Sequence, residues 1–97
     1  MTNPNHLKFL AVLPDWTPLK IMWVDSQVTR DWVLVEDSKI DHLELCTSVG
    51  LFMHYTNDLV QLALNYDPEG KSVNCTVAIP MCAVFSLEKL VEEKGDK

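Results

Sequence analysis

Ninety-seven residues, 47% of them apolar and 23% charged, suffice for one compact core and are too few for two domains. Fourteen acidic residues against eight basic ones give a net charge of −6. The lysines are scattered and the one arginine is Arg30, so the clustered positive charge that grips a phosphate backbone is missing, which argues against nucleic acid as a partner.

The apolar stretch over residues 9–13 is far too short to span a bilayer, and Pro14 ends it. It lacks the basic start and small-residue cleavage site of a secretion signal. Three cysteines, Cys46, Cys75 and Cys82, form no C-x-x-C and match no zinc-ligand spacing. An odd set of this kind reads as free thiols used as small hydrophobes. Together these features lead us to expect a cytoplasmic protein with no membrane segment, no metal and no cofactor. Asn74-Cys75-Thr76 matches a glycosylation acceptor, which matters only in a secreted chain.

Prolines 4, 14 and 18 bracket an amphiphilic piece over residues 7–13, either a short helix or an edge strand. Residues 1–18 are thus expected to form an N-terminal arm, and residues 19–94 a single β domain. Residues 19–24 read as a strand apolar on both faces. Residues 31–35 suggest a short second strand. Ser38 to Asp41 has the spacing of a capping box, which predicts one or two helical turns there.

From residue 45 to residue 55 the chain alternates with period two over eleven residues, long for a single strand. Gly50 at its middle predicts a bend or bulge of the kind that turns the corner of a small barrel. Thr56-Asn57-Asp58 connects it to a strand over residues 59–66, with Val60, Leu62 and Leu64 on its apolar face. Asp67-Pro68-Glu69-Gly70 is a strong turn signal. Val73, Cys75, Val77 and Ile79 then alternate until Pro80, which cannot donate to a ladder. After a one-turn break at residues 80–83 and a short strand at 84–85, Ser86 is placed to cap a final helix. The expected fold is therefore mainly β: a strongly curved five-stranded antiparallel barrel, SH3-like or Sm-like, with a short helical turn and a C-terminal helix. An open antiparallel sheet is the competing architecture.

Residues 19 to about 90 resemble a group of short, uncharacterised bacteriophage and prophage proteins. The resemblance is carried by Trp23-Val24-Asp25-Ser26, by Trp32, and by Ser48-Val49-Gly50. It continues through Thr56-Asn57-Asp58, Ala78-Ile79-Pro80 and Ala83-Val84. This chain has Asp31 where the group often carries glycine. The resemblance implies a mobile-element origin and a small β fold, and no particular activity.

Trp23, Asp25, Ser26 and Trp32 are the candidate binding residues. Two large aromatics flank a carboxylate and a hydroxyl where a strand gives way to a loop, a suitable combination for a flat ligand or a peptide. The plainer reading makes Trp23 core, with Asp25 and Ser26 satisfying backbone groups at the strand end. Trp32, beside Arg30 and Asp31, is the better candidate for a functional role. His6, His42 and His54 have no sequence-adjacent nucleophile or ligand set, so no catalytic residue is expected. Apolar residues on both faces of the first strand, and Phe52 opposite Val49 and Leu51, call for a cover. An arm, a terminal helix or a subunit interface could supply it, and we expect a homo-oligomer. The expected function is that of a non-catalytic accessory protein that binds a host protein or sequesters a small ligand. The alternatives are an Sm-like nucleic-acid-binding protein and a small hydrolase using His54 or His42.

Overall fold

A computed structural model describes residues 3–26, 32–40 and 43–91. Helix α1 (Pro4–Ala11) resolves the ambiguity near the start in favour of a helix. Pro4 occupies its first turn, where a missing N–H costs nothing, and the Asn3 side chain accepts from the Asn5 N–H at 2.9 Å. Five strands follow: β1 (Pro18–Val24), β2 (Leu45–Tyr55), β3 (Leu59–Asp67), β4 (Ser72–Pro80) and β5 (Val84–Lys89). They form one antiparallel sheet in the order β4-β3-β2-β1-β5.

β2 is the strand that organises this sheet. Its first part pairs with β1, from Val24 opposite Leu45 to Pro18 opposite Leu51. Its last part pairs with β3, from Leu51 opposite Ala63 to Tyr55 opposite Val60. Only Leu51 has a partner on both sides, so β2 changes neighbours there, one residue after Gly50. A Cβ on Gly50 would lie 3.0 Å from the Ala63 carbonyl oxygen and 3.1 Å from Leu62 Cβ. The bare backbone at this position is what allows β3 to approach as β2 turns.

The core gathers at this corner. Leu10, Leu19, Ile21, Phe52, Val60, Leu62, Ile79 and Met81 are all buried and form one cluster. Leu10 of α1 is among them, so the helix belongs to the same core as the sheet. Phe52 is covered there and exposes only 3% of its surface. The Trp16 N–H donates to the Phe52 carbonyl at 2.7 Å, and the Phe52 N–H donates to the Thr17 carbonyl at 2.9 Å. Those two bonds tie the connection after α1 to β2.

Turn chemistry explains the connections. Thr56 Oγ1 accepts from the N–H groups of Asp58 and Leu59 at 3.1 and 3.2 Å, closing the β2–β3 turn. In the β3–β4 turn Lys71, not Gly70, takes the left-handed conformation, with φ at 52°. Gly70 serves there by leaving room: a Cβ would sit 2.7 Å from Asp67 Oδ2. A single 3₁₀ turn (Met81–Ala83) joins β4 to β5, at the break expected after Pro80.

Four expectations differ from the structure. Ser86 does not cap a helix; residues 84–89 are β5, with Leu87 opposite Ile21 and Lys89 opposite Leu19. The unpaired edge of β1 supplies ladder partners that local helix signals could not anticipate. The helical turn near residue 38 lies before Ser38, not after it. It is a 3₁₀ turn (Val35–Ser38) in which Ser38 Oγ donates to the Val35 carbonyl at 2.7 Å. Residues 32–34, expected in a short strand, form no regular element, and Asp31 lies outside the described residues. β4 and β5 are the two edges of the sheet and do not pair with each other, so the sheet is open and the expected barrel closure is not shown.

Candidate functional site

β1 delivers Trp23 to the upper end of the β1–β2 ladder, opposite Cys46. Its indole is partly buried and packs against the core, and its Nε1–H donates to Ser48 Oγ at 3.0 Å. Burying most of the ring while giving its one polar atom a partner is how a structural tryptophan is accommodated. Just beyond β1, the Asp25 N–H donates to the Glu44 carbonyl at 2.9 Å. Asp25 Oδ1 accepts from the Ser26 N–H at 2.8 Å. Both Asp25 interactions close the strand end, as the plainer reading of the sequence has it. Ser26 is exposed, and its described contact is made through its backbone.

The remaining Asp25 oxygen, Oδ2, accepts from Cys46 Sγ at 3.8 Å. Partial burial, followed by the adjacent Asp25 carboxylate and by Glu44, pushes the Cys46 thiol above its ordinary pKa. At neutral pH it is held as the thiol, which is the wrong state for a nucleophile. Cys75 and Cys82 are exposed, and all three cysteines are free. Iodoacetamide at neutral pH is therefore expected to alkylate Cys75 and Cys82 well before Cys46, with Cys46 catching up as pH rises. Peptide mass mapping over time checks this, and early labelling of Cys46 would refute the assigned environment.

Trp32 stands apart. Its side chain is fully exposed, so it cannot rest against the half-buried Trp23, and the two indoles do not frame one pocket. Its neighbours share the exposure: Leu34 and Val35 are each 75% exposed, with Val33, Ile40, Leu43 and Leu45 also open to solvent. Arg30, Asp31 and His42 lie outside the described residues. His54 is exposed on β2. Among the described residues no three His, Cys, Asp or Glu side chains converge as a metal would require, and no helix is long and apolar enough to cross a membrane.

Two features were not legible beforehand. Trp16, in a left-handed conformation at φ 68°, lays its ring on Tyr66 with centroids 3.6 Å apart and planes within 5°. Beside Tyr66 lies a shallow cleft of about 180 Å³, lined by Asn65, Tyr66, Asp67, Ser72, Val73 and Asn74. Drug-sized ligands occupy pockets of roughly 300–1,000 Å³, so this cleft is small for a nucleotide. Trp16 sits between two prolines, a placement that signals a turn but not what the ring will cover. Comparison with known protein families, curated proteins and solved structures finds no match for this chain.

Proposed function

We propose that this chain is a non-catalytic accessory protein of a phage or similar mobile element, and that it works by occupying the surface of a host protein. The observation that carries this reading is the exposed apolar run at residues 32–35, where the described residues leave Trp32 fully exposed and Leu34 and Val35 each 75% exposed. Leaving a tryptophan and two large aliphatics in water forgoes roughly 1.5–3 kcal/mol for each aliphatic that burial would recover. A contiguous patch of this kind marks an interaction site. A protein surface suits it better than a small molecule, because a protruding segment inserts into a partner and does not enclose one. Sequestration of a small ligand therefore ranks second, resting only on the shallow cleft beside Tyr66.

The strand order and the change of partners along β2 support reading the sheet as an SH3-like or Sm-like barrel that is open between β4 and β5. That likeness is the sole support for nucleic-acid binding, and the charge of −6 opposes it. A small hydrolase has less still, with the Cys46 thiol raised and His54 on an exposed strand position.

Trp32→Ala tests the proposal. An exposed side chain contributes little to folding, so the thermal midpoint should stay put, with a stability change within about 0.5 kcal/mol. Capture of the host partner from lysate by the tagged protein should be lost. Unchanged capture would remove Trp32 from the interface. Salt-sensitive retention on single-stranded RNA would instead favour the nucleic-acid reading.

A further inference from the structure

We infer that α1 is exchanged between two copies of this chain, with the turn that follows it as the hinge. Residues 14–17 close a tight turn in which the Thr17 N–H donates to the Pro14 carbonyl at 3.3 Å. Trp16 stands third in that turn, with φ at 68°. A turn that needs positive φ at its third position ordinarily carries glycine or asparagine there, because a larger side chain makes the left-handed region costly. Here the position carries an indole. The ring lies flat on Tyr66, so the stack holds the turn shut against the preference of its own backbone. Strain in a short hinge is the feature that invites exchange of the segment beyond it.

The closed chain identifies the occupant. Its apolar corner is filled by its own α1: Leu10 is buried in the core cluster, and Leu7, Phe9 and Leu13 are partly buried against it. Leu7 and Leu10, three apart, share one face of the helix. What fits the corner is therefore this helix, and a second copy brings the identical one. Each contact between α1 and the sheet that is broken within a chain is remade between chains, so exchange sacrifices no apolar burial. The closed hinge is held by few bonds. The Trp16 N–H donates to the Phe52 carbonyl at 2.7 Å, and Thr17 Oγ1 donates to the Pro14 carbonyl at 2.7 Å. Extending the hinge breaks these on the way, which makes exchange slow, and it returns Trp16 to negative φ. Pro14 and Pro18 favour the extended form, since each turns the residue before it, Leu13 and Thr17, away from the helical region. The exchange involves α1 and the corner beneath it, and is independent of the partner segment at residues 32–35.

Sedimentation velocity over a concentration series tests the exchange, using the full chain and three variants. The natural chain should give a monomer and, at high concentration, a dimer that returns to monomer slowly after dilution, because the arms must undock before the subunits part. Deleting Asp15 leaves the hinge too short to turn back, and the resulting dimer should persist on dilution. Trp16→Gly accepts positive φ without strain and should weaken dimerisation roughly tenfold or more. Tyr66→Ala removes the stack but keeps the strained residue, so its dimer should be at least as abundant as that of the natural chain. A natural chain that stays monomeric at every concentration overturns the proposal, as does a dimer that parts at once on dilution. A dimer that Trp16→Gly leaves intact, or that Trp16→Gly and Tyr66→Ala both abolish, overturns it too, the last because the indole would itself be the interface.

Discussion

Phe52→Ala is expected to lower the unfolding free energy by about 3–5 kcal/mol, the usual cost of removing a buried aromatic ring. Phe52 is 3% exposed and belongs to the core cluster that also holds Leu10 of α1, Leu19 and Ile21 of β1, and Val60 and Leu62 of β3. Its ring also sits 6.2 Å from that of Tyr55 in a tilted arrangement, which aromatic pairs favour. The backbone bonds from Trp16 and to Thr17 survive the substitution, so the void left behind cannot be closed by sliding β2. Small domains are stable by roughly 5–15 kcal/mol, so the loss takes a large share of the total. The thermal midpoint should fall by at least about 12 °C on the usual scaling for a chain of this length. Thermal melting followed by circular dichroism measures it, and a fall of only a few degrees would mean that the corner is not packed as described.

The second large effect is expected at Gly50. Gly50→Val places a branched side chain where even a Cβ meets the Ala63 carbonyl at 3.0 Å and Leu62 Cβ at 3.1 Å. The first of these is backbone within the β2–β3 ladder and the second belongs to a buried core residue. Neither can yield without opening the sheet at the point where β2 changes neighbours. Overpacking of this kind costs about 1–3 kcal/mol, and valine's preference for strands offsets only part of it. Urea titration should show a lower midpoint with little change in slope. Val49→Thr, next door but 56% exposed, is the control, and it should leave the midpoint almost unmoved. Equal stability of Gly50→Val and the natural chain would show that the close approach is not needed.

Local chemistry was enough to specify most of the elements. Period-two alternation located β2 to the residue, and placed β1, β3 and β4 within a residue or so of their ends. Gly50 marked the close approach of β3, although the irregularity in the β2–β3 ladder lies between Phe52 and His54, and Pro80 preceded the break before β5. Such signals are legible because they act over a few neighbours: side-chain alternation, a fixed proline φ, an absent Cβ. The last strand was misread for the complementary reason. Leu87 and Leu90 satisfy helix spacing, and the free ladder edge of β1 overrides it from more than sixty residues away in sequence.

Burial was less legible than secondary structure. Val49 and Val77 have the alternation of core positions and are exposed, as are Leu64 and Val73. Alternation tells which side of a strand a residue faces; only the path of the other strands tells whether anything lies over that side. The candidate site divides on the same line. That the short carboxylate of Asp25 accepts from a backbone N–H at the strand end was one of the two readings the sequence offered for it. That Trp23 is anchored through Ser48 while Trp32 stands free, and that Trp16 travels to Tyr66, required the tertiary structure. Each depends on contacts between segments brought together by the sheet, and an indole is equally at home buried with its N–H satisfied or projecting toward a partner.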